Sequence, residues 1–199
     1  MAITWIRTIP AAAGALALAV VLTGCNESAP AKGGNSASPD ATKDKTSFRL
    51  GEPSPLQDSM LTTSADSKYT VTPTKVQMGT VADLDNSGLD TAELPGPRVP
   101  VYVWSTLAHK SGRTAMKIDE MDNSLVIRTD RGDRTKALFV LMGDATWPNC
   151  PAPDSEKKLN PGESAKICTA FLITRGEKAE AVELTQGFSG ETLEWPVKS

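Results

Sequence analysis

An all-β domain, a sandwich or a barrel, is the fold class that residues 48–199 predict. Two observations carry it. Short apolar segments, most of them alternating, recur along this stretch and are separated by turns rich in Gly, Pro and Asn, which is the pattern of several short strands packed into a sandwich or barrel. No segment shows an apolar stripe at helical spacing over ten or more residues.

Ahead of the domain lie a leader and a tether. Residues 1–24 predict a signal peptide: Arg7 is the only charge, and Ile9 to Val21 is a run of mostly Ala, Leu and Val. That run is shorter than the ~20 apolar residues needed to span a bilayer and fits the apolar core of a secretory signal. It closes on Leu22-Thr23-Gly24-Cys25, which resembles the bacterial lipobox. There the cysteine thiol receives a diacylglycerol and becomes the new N-terminus, with small residues beside it giving the processing enzymes access to the backbone. A diacylated Cys25 holds a protein at the membrane because two acyl chains bind stably where one does not. The expected location is the outer face of the plasma membrane. Residues 26–47 are Ala, Ser, Gly, Pro, Thr and Asn with scattered charges, too polar to bury a core. As a flexible coil they would span about 25 Å, so residues 25–47 form the lipidated cysteine and linker.

Removing 24 of the 199 residues leaves 175, enough for one domain and a tether. The net charge of −3 becomes −4 on loss of Arg7. Such a chain has no electrostatic case for nucleic acid, which needs a basic patch. One histidine, His109, leaves little room for histidine-based metal or general-base chemistry. With Cys25 on lipid, Cys150 and Cys168 remain in an oxidising compartment and are expected to bridge.

In order, Phe48, Leu50 and Gly51 start the domain as a short edge strand, and Pro53 to Asp66 reads as loop. Lys68 to Met78 places Tyr69 and Val71 on one face. Pro73 then predicts an edge or a bulge, with apolar parity shifting to Val76 and Met78. A short helical turn is expected within Ala82 to Leu94. Val99 to Leu107 puts Val99, Val101, Val103 and Leu107 on one face and Tyr102 and Trp104 on the other, a central strand. Ser124 to Thr129 carries Leu125 and Ile127 opposite Val126; Arg131-Gly132-Asp133 is a turn; Thr135 to Met142 is apolar on both faces. Trp147 to Gly162, with four prolines, is loop. Glu163 to Thr174, Ala179 to Thr185 and Thr192 to Val197 complete the strands, the last with Leu193, Trp195 and Val197 on one face.

Taken together, Phe48-Arg-Leu-Gly51, Tyr69-Thr-Val-Thr-Pro-Thr-Lys-Val76, Pro100-Val-Tyr-Val103, Leu159-Asn-Pro-Gly-Glu163, Cys168-Thr-Ala-Phe-Leu172 and Glu194-Trp-Pro-Val197 resemble the secreted immunoglobulin-like lipoproteins of unknown function from high-GC Gram-positive bacteria. The resemblance implies an immunoglobulin-like antiparallel β-sandwich, of about 7–9 strands here, anchored outside the cell and without established catalytic residues. In antibody-type domains the Cys…Trp…Cys spacing supports a bridge between sheets. Here the pair is only 18 residues apart and is expected to tie a loop to the neighbouring strand.

Candidate sites are few. Asp83-Leu-Asp85-Asn-Ser87-Gly88 matches the first half of a calcium loop, with oxygens at positions 1, 3 and 5 and Gly at 6. The second half departs from it: position 12 is Leu94, Glu93 falls one residue early, and Asp90 occupies the apolar position 8. A solvated acidic loop explains the stretch as well. Arg131-Gly132-Asp133 matches an adhesion tripeptide and equally a hairpin tip. Ser155-Glu-Lys-Lys158 spells S-x-x-K without its companion motifs. Trp104, Trp147 and Trp195 suit a carbohydrate platform or a core. His109, next to Lys110-Ser111-Gly112 at a strand end, is expected at the surface. No cofactor is implied. The expectation is a non-catalytic binding or accessory protein of the cell envelope, partnered by an envelope protein or a small ligand. Calcium or glycan binding is the alternative, and an envelope enzyme a second. Gly79–Arg98 and Gly143–Gly162, the longest loops, are the expected binding surface.

Overall fold

A computed structural model describes residues 45–92, 94–138, 145–154, 156–185 and 191–198. The leader, Cys25, most of the linker, Glu93, Phe139 to Met142 and Ser155 lie outside them.

The described residues form β1 (Gln57–Asp58), β2 (Lys68–Met78), α1 (Val81–Asp85), β3 (Arg98–Ser111), β4 (Met116–Lys117), α2 (Ile118–Asp122), β5 (Leu125–Thr129), β6 (Arg134–Lys136), β7 (Lys158–Leu159), β8 (Ser164–Thr174), β9 (Ala179–Thr185) and β10 (Thr192–Pro196). Two four-stranded antiparallel sheets, β1-β2-β3-β8 and β10-β9-β5-β6, face one another, and β4 pairs with β7 as a small ribbon. This is the antiparallel β-sandwich expected. The ten strands among the described residues exceed the expected number because three are only two residues long.

The alternation in the sequence decides which face is buried. Val99, Val101, Val103 and Leu107 of β3 enter the inter-sheet core with Tyr69 and Val71 of β2, Ile167, Phe171 and Ile173 of β8, Leu125 and Ile127 of β5, Val182 and Leu184 of β9, and Leu193 and Trp195 of β10. The register of β2 on β3 slips between Pro73 and Lys75, so the proline sits at a bulge beyond the two residues of β2 that pair with β1, where its missing N–H breaks no ladder. After the slip Val76 packs on the core, as the parity shift predicts, while Met78 is exposed. The chain joins the second sheet earlier than expected: Ser47 pairs parallel to Glu194, and Phe48 stacks on Trp195 with ring centroids 5.4 Å apart.

Thr135 to Met142 does not continue as one strand in the described part. β6 ends at Lys136, Ala137 bridges to Phe171, and Leu138 N–H donates to Ala170 O at 2.9 Å. The chain therefore crosses from the second sheet to the edge of the first. Apolar residues on both faces suit such a crossing, since Ala137 packs on the main core and Leu138 on a second cluster.

That second cluster covers the outer face of the first sheet. Tyr102, Cys168 and Leu172 project there, and Leu84 of α1 with Trp147 and Cys150 of the following loop close over them. Cys150 and Cys168 are joined, Cα to Cα 5.2 Å, so the loop is tied to β8. Removing the bridge, which closes 18 residues, is expected to cost about 3 kcal/mol in the chain-entropy model. Urea unfolding of a Cys150→Ala, Cys168→Ala chain checks this; an unchanged midpoint would refute it.

The outer face of the second sheet is ionic. Glu183 is buried beneath Arg128 (2.7 Å) and Arg134 (2.8 Å), and Arg128 also pairs with Glu180 and Glu194. No helix among the described residues is long and apolar enough to cross a membrane.

Candidate functional site

A groove opens at the end of the sandwich where β3 begins and β8 ends. One compartment, about 310 Å³, is lined by Val81, Leu84 and Asp85 of α1, by Leu94 and Pro97 from the segment leading into β3, and by Arg98 and Arg175. A second, about 480 Å³, is bounded by Leu94, Pro95, Arg98, Leu172 and Thr174 and by Asp133 to Lys136 of the β5–β6 hairpin. Leu94 and Arg98 line both, so the compartments adjoin.

Local rules place these residues. Thr80 caps α1: its hydroxyl accepts from Asp83 N–H at 3.1 Å, and Asp83 Oδ2 accepts in return from Thr80 N–H at 2.6 Å, a reciprocal capping box. The cap fixes the angle at which Leu84 enters the second cluster and leaves Asp85 exposed toward the groove. Arg98 is paired in register with Thr174, and Arg175 N–H donates to Pro97 O at 2.9 Å. The two arginines thus rise from hydrogen-bonded neighbours. The Arg98 guanidinium is held by Nη1 to Thr174 Oγ1 (3.3 Å) and Nη2 to Pro95 O (3.0 Å). A guanidinium has five N–H donors, so three remain. Among the described residues, no carboxylate pairs with Arg98, Arg175 or Lys136, whereas Arg134 is held by Glu183.

Below α1, Tyr102 lies edge-on to Trp104 and Trp147, with centroids 6.3 and 5.8 Å away. Burial, with a contribution from nearby Asp83, pushes its phenol up to about 12, so it stays neutral and serves the packing. Trp104 carries Lys75 over its ring at 4.2 Å. Trp195 is fully buried in the main core and its indole N–H donates to Glu52 O at 2.9 Å. The three tryptophans therefore do not form one platform.

The first half of the calcium pattern, Asp83 to Gly88, spans the end of α1 and the turn after it. Asp83 is committed to the cap, Ser87 is buried with its hydroxyl donating to Leu84 O at 2.7 Å, and Asp85 is exposed. Glu93 lies outside the described residues, among which no group of three His, Cys, Asp or Glu could hold a metal ion. Arg131-Gly132-Asp133 is the β5–β6 turn. Thr129 Oγ1 accepts from the N–H groups of Arg131 (3.4 Å) and Asp133 (3.2 Å), and Gly132 takes φ +86°. Of the S-x-x-K stretch, Ser155 lies outside the described residues and Lys158 pairs with Lys117 in the β4–β7 ribbon.

His109 requires a correction: it is fully buried, not at the surface. β3 runs on to Ser111, and 109 has the same parity as 99 to 107, so the ring turns inward. Its Nδ1 is 2.9 Å from Leu159 O and its Nε2 is 2.8 Å from Ser111 O. The ring ties the end of β3 to β7, and both nitrogens face backbone carbonyls rather than a carboxylate or a serine hydroxyl. Of the two loops expected to bind, Gly79–Arg98 lines the groove. The described part of Gly143–Gly162 is pinned over the first sheet by Trp147 and Cys150. The arginine from the β8–β9 turn had no local signal in the sequence.

No family model matches the chain, and no curated protein matches it. Two solved structures are similar. A secreted protein from Mycobacterium tuberculosis, MPT63, is 14% identical with a TM-score of 0.52, the match covering 77% of this chain and 98% of that one. An uncharacterized β-sandwich protein from Clostridium difficile 630 is 9% identical with a TM-score of 0.43, covering 78% and 96%. At these identities the first likeness shows a shared sandwich fold.

Proposed function

We propose that this chain is a lipid-anchored, extracytoplasmic binding module without catalysis of its own, held at the membrane by Cys25 and meeting its ligand at the groove. The observation that carries the reading is the groove itself. An apolar-walled cleft at one end of the sandwich holds Arg98 and Arg175 side by side, without a described acid paired to either. Binding groups of this kind sit on loops and strand ends positioned by a rigid scaffold. The leader ending in Leu22-Thr23-Gly24-Cys25 supports export and anchoring, and MPT63, which shares the sandwich, is described as secreted. The sealed environment of His109, the only histidine, supports a role other than general-base catalysis.

The test is crosslinking and capture of the protein from intact cells, with Cys25→Ser as control. The native chain is expected in the membrane fraction with a reproducible partner. Cys25→Ser should leave that fraction, with at least a tenfold fall in membrane-bound protein, and lose the partner. Equal membrane retention of both forms would remove the anchor. Capture of nothing by either form would remove an envelope protein as partner and leave a small ligand.

A further inference from the structure

We infer that the groove takes a ligand bearing one oxyanion, a carboxylate or a phosphate, on an apolar body; this rests on the groove being the binding surface. The sign of the charge follows from the lining. Arg98, Arg175, Arg134 and Lys136 face Asp85 and Asp133, in a chain whose net charge is −3. Arg134 is already occupied by Glu183, which leaves Arg98, Arg175 and Lys136 to receive an anion; of these the two arginines share the first compartment, where Lys136 does not reach. Arg98 is the better placed. Thr174 Oγ1 and Pro95 O hold its guanidinium, so less side-chain freedom is lost on binding. The planar fork of donors left over matches a carboxylate or phosphate edge. Arg175 comes to the same place because its backbone is bonded to Pro97, the residue before Arg98.

The apolar body follows from the walls. Val81, Leu84 and Leu94 flank the arginines on one side of the shared boundary, and Pro95 and Leu172 continue on the other. A purely ionic ligand would leave that surface wet. The limit to one anionic group follows from the acids. Asp85 stands in the first compartment and Asp133 in the second, so a polyanion running along the groove would meet a carboxylate in either direction, and like charges at short range repel. The same arginines repel a cation.

The protein for the test is the chain from Asn26 to Ser199, which lacks only the leader and Cys25; the packing clusters described above lie wholly within residues 48–195. The probes, each below its micelle concentration, are octanoate, octyl phosphate, octanol, octyltrimethylammonium and inorganic phosphate. Binding is followed by amide nitrogen–proton NMR titration, which also reports whether each variant is folded. Octanoate or octyl phosphate should give saturable shifts at Leu94, Arg98 and Arg175. Octanol and inorganic phosphate should bind at least tenfold more weakly than the better of the two. Arg98→Gln should weaken that ligand at least tenfold with the spectrum otherwise unchanged. Comparing octanoate with octyl phosphate identifies the head group. Equal binding of octanol, preference for the ammonium probe, indifference to Arg98→Gln, or no binding by any amphiphile would each overturn the inference. Equal membrane retention of the native chain and Cys25→Ser, with octanoate still bound by the groove, would instead strike the anchored-module reading.

Discussion

Replacing Gly112 by Ala is expected to destabilise the domain by about 4 kcal/mol, the sum of two effects. Gly112 has φ +130°, a region that a residue with a Cβ adopts only under strain of roughly 1–3 kcal/mol. The added Cβ would also meet Ser67, 2.7 Å from its Cα and 2.9 Å from its Cβ, and closer still to its hydroxyl. Ser67 cannot readily yield. It is fully buried, its N–H donates to Ser64 O at 2.8 Å, and its carbonyl accepts from Ser59 N–H at 3.0 Å. Forcing a methyl into a packed site of this kind costs about 1–3 kcal/mol more. Against a total stability of roughly 5–15 kcal/mol for a domain of this size, the loss is large. Gly132→Ala separates the two effects, because Gly132 also has a positive φ, +86°, but nothing lies within 4 Å of its Cβ position. It should cost about 1 kcal/mol. Urea midpoints at constant slope give both numbers, and equal losses at the two glycines would sink the account.

What the sequence made legible, and what it did not, separates along the range of the interaction. The faces of β3 were readable because strand periodicity is local: Val99, Val101 and Val103 go to the core and Tyr102 and Trp104 to the other side. His109 was misplaced by the same rule applied one turn too briefly. Lys110-Ser111-Gly112 looks like the end of a strand, yet the ladder to β8 reaches Ala108 opposite Ser164, and His109 N–H still donates to Glu163 O at 3.0 Å. The five-residue α2 was not foreseen, since one turn with Ile118 and Met121 inward gives no periodic signal. The calcium half-pattern was ambiguous because Thr80-Val-Ala-Asp83 reads equally as a helix cap, and in the fold Asp83 Oδ2 accepts from the N–H and hydroxyl of Thr80. The groove was half visible. The length of Gly79–Arg98 pointed to it, but Arg175 lies 77 positions beyond Arg98 and arrives only through the β3–β8 register.

Asp122→Asn, by contrast, is expected to stabilise the domain at neutral pH. Asp122 closes α2 and is buried, with Thr169 Oγ1 donating to its Oδ2 at 2.8 Å. Thr169 lies between Ile167 and Phe171 on the core side of β8. Among the described residues, Asp122 Oδ1 has no hydrogen-bond partner, nor has Ser105 Oγ on β3. A buried carboxylate with one oxygen unsatisfied is costly to ionise. Burial accordingly pushes this carboxyl up to about 6, partly opposed by the Thr169 bond. The folded state therefore holds a proton that the unfolded chain releases nearer pH 4, and stability falls as pH rises through the window from about 4 to about 6. The two-unit rise corresponds to about 3 kcal/mol of destabilisation above that window. An asparagine keeps an oxygen for Thr169 and carries no charge, but its amide nitrogen inherits the unpartnered position, which takes back about 1 kcal/mol or more. The variant should thus be about 1–2 kcal/mol more stable than the native chain at pH 7.5, and no more stable at pH 4, where Asp122 is already neutral. Because every other titrating group is common to both chains, the difference between their urea stabilities isolates this one carboxyl. A difference that does not change between pH 4 and 7.5 would show that Asp122 titrates normally in the fold.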